Sequence, residues 1–357
     1  MKKTLAALML SAAVSQPLWA ANFTVYGVAD TGLGLKRVDD GVTNASSLGV
    51  ISGYNAGSRF GFKGEEDLGD GMKVAFRLEN GFTMDDGRLG NSGRLFGREA
   101  RVTVSGGFGE IAFGHIGGLN SAAGYYDVTF VRGDAFDGGD NAVATGFAMT
   151  SRADKTVLYA TPQLGAAKLY AQYSFEVDGK ESEHSGQNER NAALALTFDA
   201  GALQTVLSAD AFLYGESSEQ GYAVNAGGNY DFGPVRVFAM LQYAQKVKAF
   251  GGVDQSVFKG FWKGVAAHAG ATAPVAGGKL TAGLYLAKGE TVHDAAADRT
   301  DVDYIGASAR YVHTLSASTS VYAGAGVSES RLDPETGEAA RTRIKKMQVY
   351  TGLTYKF

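Results

Sequence analysis

The chain has 357 residues, with 33 Lys and Arg against 37 Asp and Glu, 50 glycines, five prolines and no cysteine. A formal charge of −4 excludes a general nucleic-acid partner, and the absence of cysteine excludes disulfides as the source of stability. The glycines are scattered among Tyr, Phe, Val and Leu, which is the pattern of ordered β-rich material and not of a low-complexity chain.

Residues 1–20 come first in chain order. Lys2 and Lys3, the apolar run Leu5 to Val14 and the exit Leu18-Trp19-Ala20 form a secretory signal pattern, so the mature domain is expected to be 21–357. Losing the two lysines takes the formal charge from −4 to −6. The apolar core is too short for a spanning helix, and no other segment approaches the roughly 20 apolar residues required.

From Phe23 onward, polar and apolar residues alternate with period two, placing successive side chains on opposite faces. This predicts about sixteen strands. They lie near 23–36, 57–66, 71–82, 94–105, 109–115, 154–161, 166–176, 190–199, 202–213, 221–231, 234–246, 262–273, 279–289, 302–313, 318–328 and 344–357. Tight turns such as Ser105-Gly106-Gly107 and Asp231-Phe232-Gly233 alternate with long polar loops. The fold class this implies is all-β: a transmembrane antiparallel up-and-down β-barrel, one domain, with lipid outside and water inside. A soluble sandwich is the second reading, but it has no reason to sort its connections into short and long.

The longest connection, Ile116 to Ala153, exceeds the usual length of a structureless loop and is therefore expected to be functional. It mixes acids, aromatics and glycines in Tyr125-Tyr126-Asp127 and in the stretch from Arg132 to Asn141. The expectation is a loop folded into the barrel that narrows it; a surface loop is the alternative. At the carboxyl end, Met347, Val349, Leu353, Tyr355 and Phe357 share one face and Lys346, Gln348, Tyr350, Thr354 and Lys356 the other.

Phase then assigns lumenal residues. With Phe60 and Phe62 toward lipid, Arg59 and Lys63 face the lumen; with Val74, Phe76 and Leu78 outside, Lys73, Arg77 and Glu79 face in. With Ala100, Val102 and Val104 outside, Glu99, Arg101 and Thr103 face in, and Arg98 falls out of phase and ranks lower. Arg59, Lys63, Arg77 and Arg101 are the expected basic wall of a constriction. Asp127, Asp134, Asp137 and Asp140 are the expected acids of a loop facing it, giving a transverse field that orients solutes. A solvated or cross-paired charge is the plainer reading for at least half of these residues.

No enzyme or metal site is expected. His115, His184, His268, His293 and His313 lack ligand spacing, there is no Gly-x-Ser-x-Gly nucleophile frame, and no cofactor motif occurs.

The stretch from Ser58 to Phe82 resembles the second and third strands of the general porins of Gram-negative bacteria, β-proteobacterial type. Phe23 to Asp30 resembles their first strand; Leu95 to Val102, Phe108 to Gly114 and Thr156 to Pro162 resemble later ones. This resemblance implies a sixteen-stranded, water-filled outer-membrane barrel, usually a homotrimer, with the third long loop folded inward as an eyelet. It also implies that Phe357 is part of a signal read by the outer-membrane assembly machinery. The segment from Arg132 to Gly139 only loosely echoes the family's eyelet loop, which leaves the constriction geometry open.

The function expected is passive diffusion of ions and small hydrophilic solutes. The alternatives are a porin specific for a sugar or organic acid, and an adhesin barrel exposing loops 37–56, 177–189 and 329–343. Tyr26, Tyr170 and Tyr350 are lumenal by phase but read as wall packing. Ion preference is open, because wall cations and loop acids pull in opposite directions.

Overall fold

The computed structural model describes residues 22–122, 124–143, 145–150, 152–177, 179, 187–215, 220–248, 260–292, 299–334 and 341–357. The expected signal peptide, His184 and His293 lie outside them, as does most of the 177–189 loop.

The chain forms β1 (Thr24–Asp39), β2 (Asn44–Ser52), β3 (Arg59–Gly69), β4 (Met72–Gly81), β5 (Glu99–Gly106), β6 (Gly109–Gly117), β7 (Arg152–Ala160), β8 (Ala167–Ser174) and β9 (Arg190–Ala200). It continues through β10 (Leu203–Leu213), β11 (Gln220–Asp231), β12 (Arg236–Val247), β13 (Phe261–Val275), β14 (Gly278–Val292), β15 (Arg299–Thr314), β16 (Thr319–Pro334) and β17 (Thr342–Lys356). From β3 onward each pairs antiparallel with the next, β2 pairs antiparallel with β1, and β1 pairs with β17 to close the sheet. β2 and β3 both lie along β1, over Thr31–Asp39 and Thr24–Val28 respectively, so they are two halves of one interrupted strand. The seventeen segments therefore make a sixteen-strand barrel.

Two boundaries differ from expectation. The region 37–56, expected as an exposed loop, is mostly strand: β1 runs to Asp39, and Asn44–Ser52 pairs back onto it. Asn, Ser and Gly dominate this stretch, and the long partner strand supplies an order that local composition does not advertise. Likewise the strands flanking 329–343 reach Pro334 and resume at Thr342, leaving a far shorter connection.

Alternation decides what faces lipid. On β9, Leu194, Leu196 and Phe198 are exposed while Ala193, Ala195 and Thr197 between them are buried. Aromatics collect at the rim of tight turns, with Tyr230 against Phe232 and Tyr355 against Phe357, as at a membrane interface. The inward faces of the second half of the barrel pack on the long loop between β6 and β7. Phe130, Phe136, Val143 and Phe147 of that loop form one apolar cluster with Trp262, Tyr285, Tyr304, Tyr322 and Tyr350 of the wall. The loop includes one helical turn, α1 (Phe130–Gly133), set against β10, β11 and β12.

Candidate functional site

The lumenal row begins with strand register. Lys63 on β3 stands opposite Arg77 on β4, and Arg77 stands opposite Arg101 on β5. Like charges directly opposite each other destabilise a sheet, so this row requires compensation. It comes from two carboxylates two residues along, Glu79 opposite Glu99. Glu79 accepts hydrogen bonds from Tyr26 Oη at 2.8 Å and Arg98 Nε at 2.7 Å, and lies 3.7 Å from Arg59 and 3.6 Å from Arg77. Glu99 accepts from Arg101 Nε at 2.7 Å and lies 3.6 Å from Arg77. Four cations, Arg59, Arg77, Arg98 and Arg101, thus converge on two carboxylates.

Arg98 belongs to this cluster, contrary to its low rank by phase. It lies one residue before β5, where alternation does not apply, and its side chain reaches across to β4. Arg152, at the start of β7, shares the charge environment of Arg59, Arg98, Glu79 and Glu99. Neither was identifiable from spacing. The signal available was only the density of arginines on either side of the long loop.

Aromatic rings interleave with the cations. Lys63 Nζ and the Arg77 guanidinium lie 5.6 and 5.2 Å from the Tyr26 ring. Arg77 and Arg101 lie 5.3 and 3.9 Å from the Tyr125 ring, and Arg101 lies 5.2 Å from Tyr126. Tyr126 accepts from Arg101 Nη1 at 3.3 Å and donates to Glu110. Burial and the neighbouring Glu110 push the Tyr126 hydroxyl's pKa up, keeping it protonated as a donor.

The long loop is fastened to the opposite wall by its acids. Asp127 accepts from the backbone N–H groups of Thr129 and Phe130, both at 3.0 Å, at the entry to α1. Asp134 accepts from Tyr285 Oη and the Phe136 N–H, both at 2.8 Å. Asp140 accepts from Tyr350 Oη at 2.6 Å and the Ala142 N–H at 3.0 Å. Their exposures are 7%, 2% and 3%; Asp134 and Asp140 are turned into the wall, and Asp127 is buried with its bonds inside the loop. Asp137 lies beside Asp127, and the pair raises the Asp127 pKa through burial first and like charge second. Burial also raises Asp134.

Other side chains complete the fastening. Arg132 makes a two-pronged ion pair with Asp199, its closest contact at 2.7 Å. Gln242 exchanges two hydrogen bonds with Ala148, each 2.7 Å. The break between β2 and β3 brings Tyr54 inward against Tyr350, with ring centres 5.1 Å apart. There the Asn141 amide of the loop donates to the Gly53 and Tyr54 carbonyls, and Arg310 donates to Tyr54 O at 2.9 Å. Tyr350, expected as wall packing, therefore anchors the loop as well.

The remaining predicted positions fall elsewhere. Phe357 closes the barrel, its N–H and C=O bonded to Gly27 at 3.0 and 2.9 Å. His115 lies 2.5 Å from Asp154, which also takes Arg94 at 2.6 Å, so this histidine helps hold the 82–98 connection. Among the described residues, no group of three or more His, Asp or Glu side chains is placed to hold a metal ion.

Comparison with known proteins agrees with this architecture. Residues 4–332 match the family described as Gram-negative porin. An outer membrane porin protein of Bordetella pertussis is 32% identical over 279 residues, 71% of each chain. Outer membrane porin protein 32 of Delftia acidovorans is 29% identical over 329 residues, covering 90% of this chain and 88% of that one. Among solved structures, an anion-selective porin from Comamonas acidovorans superposes with a TM-score of 0.65 at 23% identity, over 94% of this chain and all of that one.

Proposed function

The chain belongs to the family of Gram-negative porins and lies in the outer membrane, and we propose that it is a passive diffusion channel that prefers anions. Ions and small hydrophilic solutes cross a constriction bounded by Arg59, Lys63, Arg77, Arg98 and Arg101 on one side and the long loop on the other. One observation carries this reading: the cations line up in register on the lumenal wall, Lys63 exposed and Arg59, Arg77 and Arg98 partly so, with only Arg101 buried, whereas Asp127, Asp134 and Asp140 are all buried. Near a narrow aperture, the closest unscreened charges set the sign of the preferred ion. The loop acids, expected to oppose the wall, thus serve by holding the loop in position, and Asp137 acts mainly through Asp127.

The similar Comamonas acidovorans porin is anion-selective, which supports the same sign of preference. A structural neighbour from Vibrio cholerae is described in a trimer form, and a homotrimer is proposed here too. Export by the 1–20 segment and recognition of Phe357 by the assembly machinery complete the proposal.

The test is single-channel recording of the refolded 21–357 chain in a planar bilayer under a potassium chloride gradient. The expected reversal potential has the sign of chloride preference, and it moves toward zero when Arg77 and Arg101 are both replaced by Ala. A reversal potential of the cation sign would overturn the proposal.

A further inference from the structure

The cations and rings on the lumenal wall form one continuous alternation, Lys63, Tyr26, Arg77, Tyr125, Arg101 and Tyr126, drawn from β3, β1, β4, the long loop, β5 and the loop again. A simple anion filter needs only the cations. Placing Lys63, Arg77 and Arg101 opposite one another breaks a rule of sheet pairing, and such local violations concentrate where function requires them. The rings soften the repulsion by offering their negative faces to the guanidinium groups. Buried tyrosines would suffice for that.

Tyr125 is different. It is 53% exposed although it stands between Arg77 and Arg101, whereas its neighbour Tyr126 is buried. Tyr126 meets Tyr125 edge-on at 4.9 Å and fixes its plane. The carboxylates hold the guanidinium groups: Glu99 holds Arg101, and Glu79 and Glu99 flank Arg77. The site therefore presents an exposed aromatic ring beside the partly exposed Arg77, with the buried Arg101 guanidinium packed against it.

We propose that this surface is a binding site for planar aromatic carboxylates. The carboxylate of the solute takes the charge of the partly exposed Arg77, and its ring lies against Tyr125 in an offset or edge-on arrangement. An aliphatic acid of the same size gains the first interaction and loses the second. The inference rests on the anion-preferring reading above and names the solute class within it.

The experiment compares benzoate with cyclohexanecarboxylate as inhibitors of chloride current through the refolded chain, at a neutral pH where both acids are ionised. Benzoate is expected to inhibit at a concentration roughly three- to tenfold lower, the value of one aromatic pair. The ratio of the two inhibitory concentrations is then measured for Tyr125→Phe and Tyr125→Leu, with barrel formation checked by heat-modifiable gel migration. Phe is expected to keep the ratio and Leu to bring it to one. Equal inhibition by the two acids in the unmodified chain, or a ratio that survives in Tyr125→Leu, overturns the inference and leaves the anion preference standing. A cation-signed reversal potential overturns both readings together.

Discussion

Asp127 shows how a charge expected to serve the pore can serve the loop instead. One carboxylate oxygen accepts the two N–H groups at the entry to α1, while the other is buried without a partner and close to Asp137. Burial and that neighbour raise its pKa, so the attached loop holds the proton more tightly than a detached loop would. The attachment is then strongest in acid and weakens as pH rises from about 4, the ordinary carboxyl value, through the raised one. Asp127→Asn keeps the oxygen acceptor and turns an amide toward Asp137. Between pH 4 and 8, current fluctuations of the unmodified channel are expected to grow with pH, and those of the variant to grow less, Asp134 supplying what remains. Noise with the same pH dependence in both would remove Asp127 from this role. The sequence showed an acid in a long loop, but no periodicity relates a loop side chain to a wall, so its direction was not legible.

At the scale of elements, the loop and the wall were shaped for each other. A Cβ added at Gly326 on β16 would lie 2.5 Å from Val143 and 2.8 Å from Ala142, and one at Gly306 on β15 would lie 2.4 Å from Val143. Real Cβ atoms do not approach this closely, because the interior is packed near its limit. The loop stands between wall and lumen, so bulk added to the wall pushes it toward the pore axis. Gly326→Ala is therefore expected to lower single-channel conductance, and Val143→Ala added to it to restore much of the loss. Unchanged conductance in the single variant would mean that the loop position does not set the aperture. A strand glycine in the sequence signals a close approach by something. Only the fold identifies Val143 as the partner.

At the scale of the whole molecule, closure depends on β1 meeting β17, and Phe357 ends that seam over Gly27. A Cβ at Gly27 would lie 2.2 Å from the Phe357 ring. This separates two roles for the terminal aromatic. If the assembly machinery reads it, deleting Phe357 lowers the amount of barrel in the outer membrane several-fold, whereas Gly27→Leu keeps that amount and lowers the unfolding temperature in detergent. The reverse order would make Phe357 a packing residue only. Strand alternation was legible across nearly the whole barrel, since a strand with lipid on one side and water on the other must alternate; Leu194, Leu196 and Phe198 of β9 show it directly. The same rule placed Arg59, Lys63, Arg77 and Arg101 on one face. It missed β2, whose polar composition is ordered by pairing with β1, and Arg98, which stands just outside its strand. The amino-acid order alone thus determined the barrel class and the shared face of Arg59, Lys63, Arg77 and Arg101, because period two is a local property of the chain. The tertiary structure alone decided that Asp134 and Asp140 turn into the wall and that Tyr125 stays open between two arginines, because both depend on residues far apart in sequence meeting across the lumen.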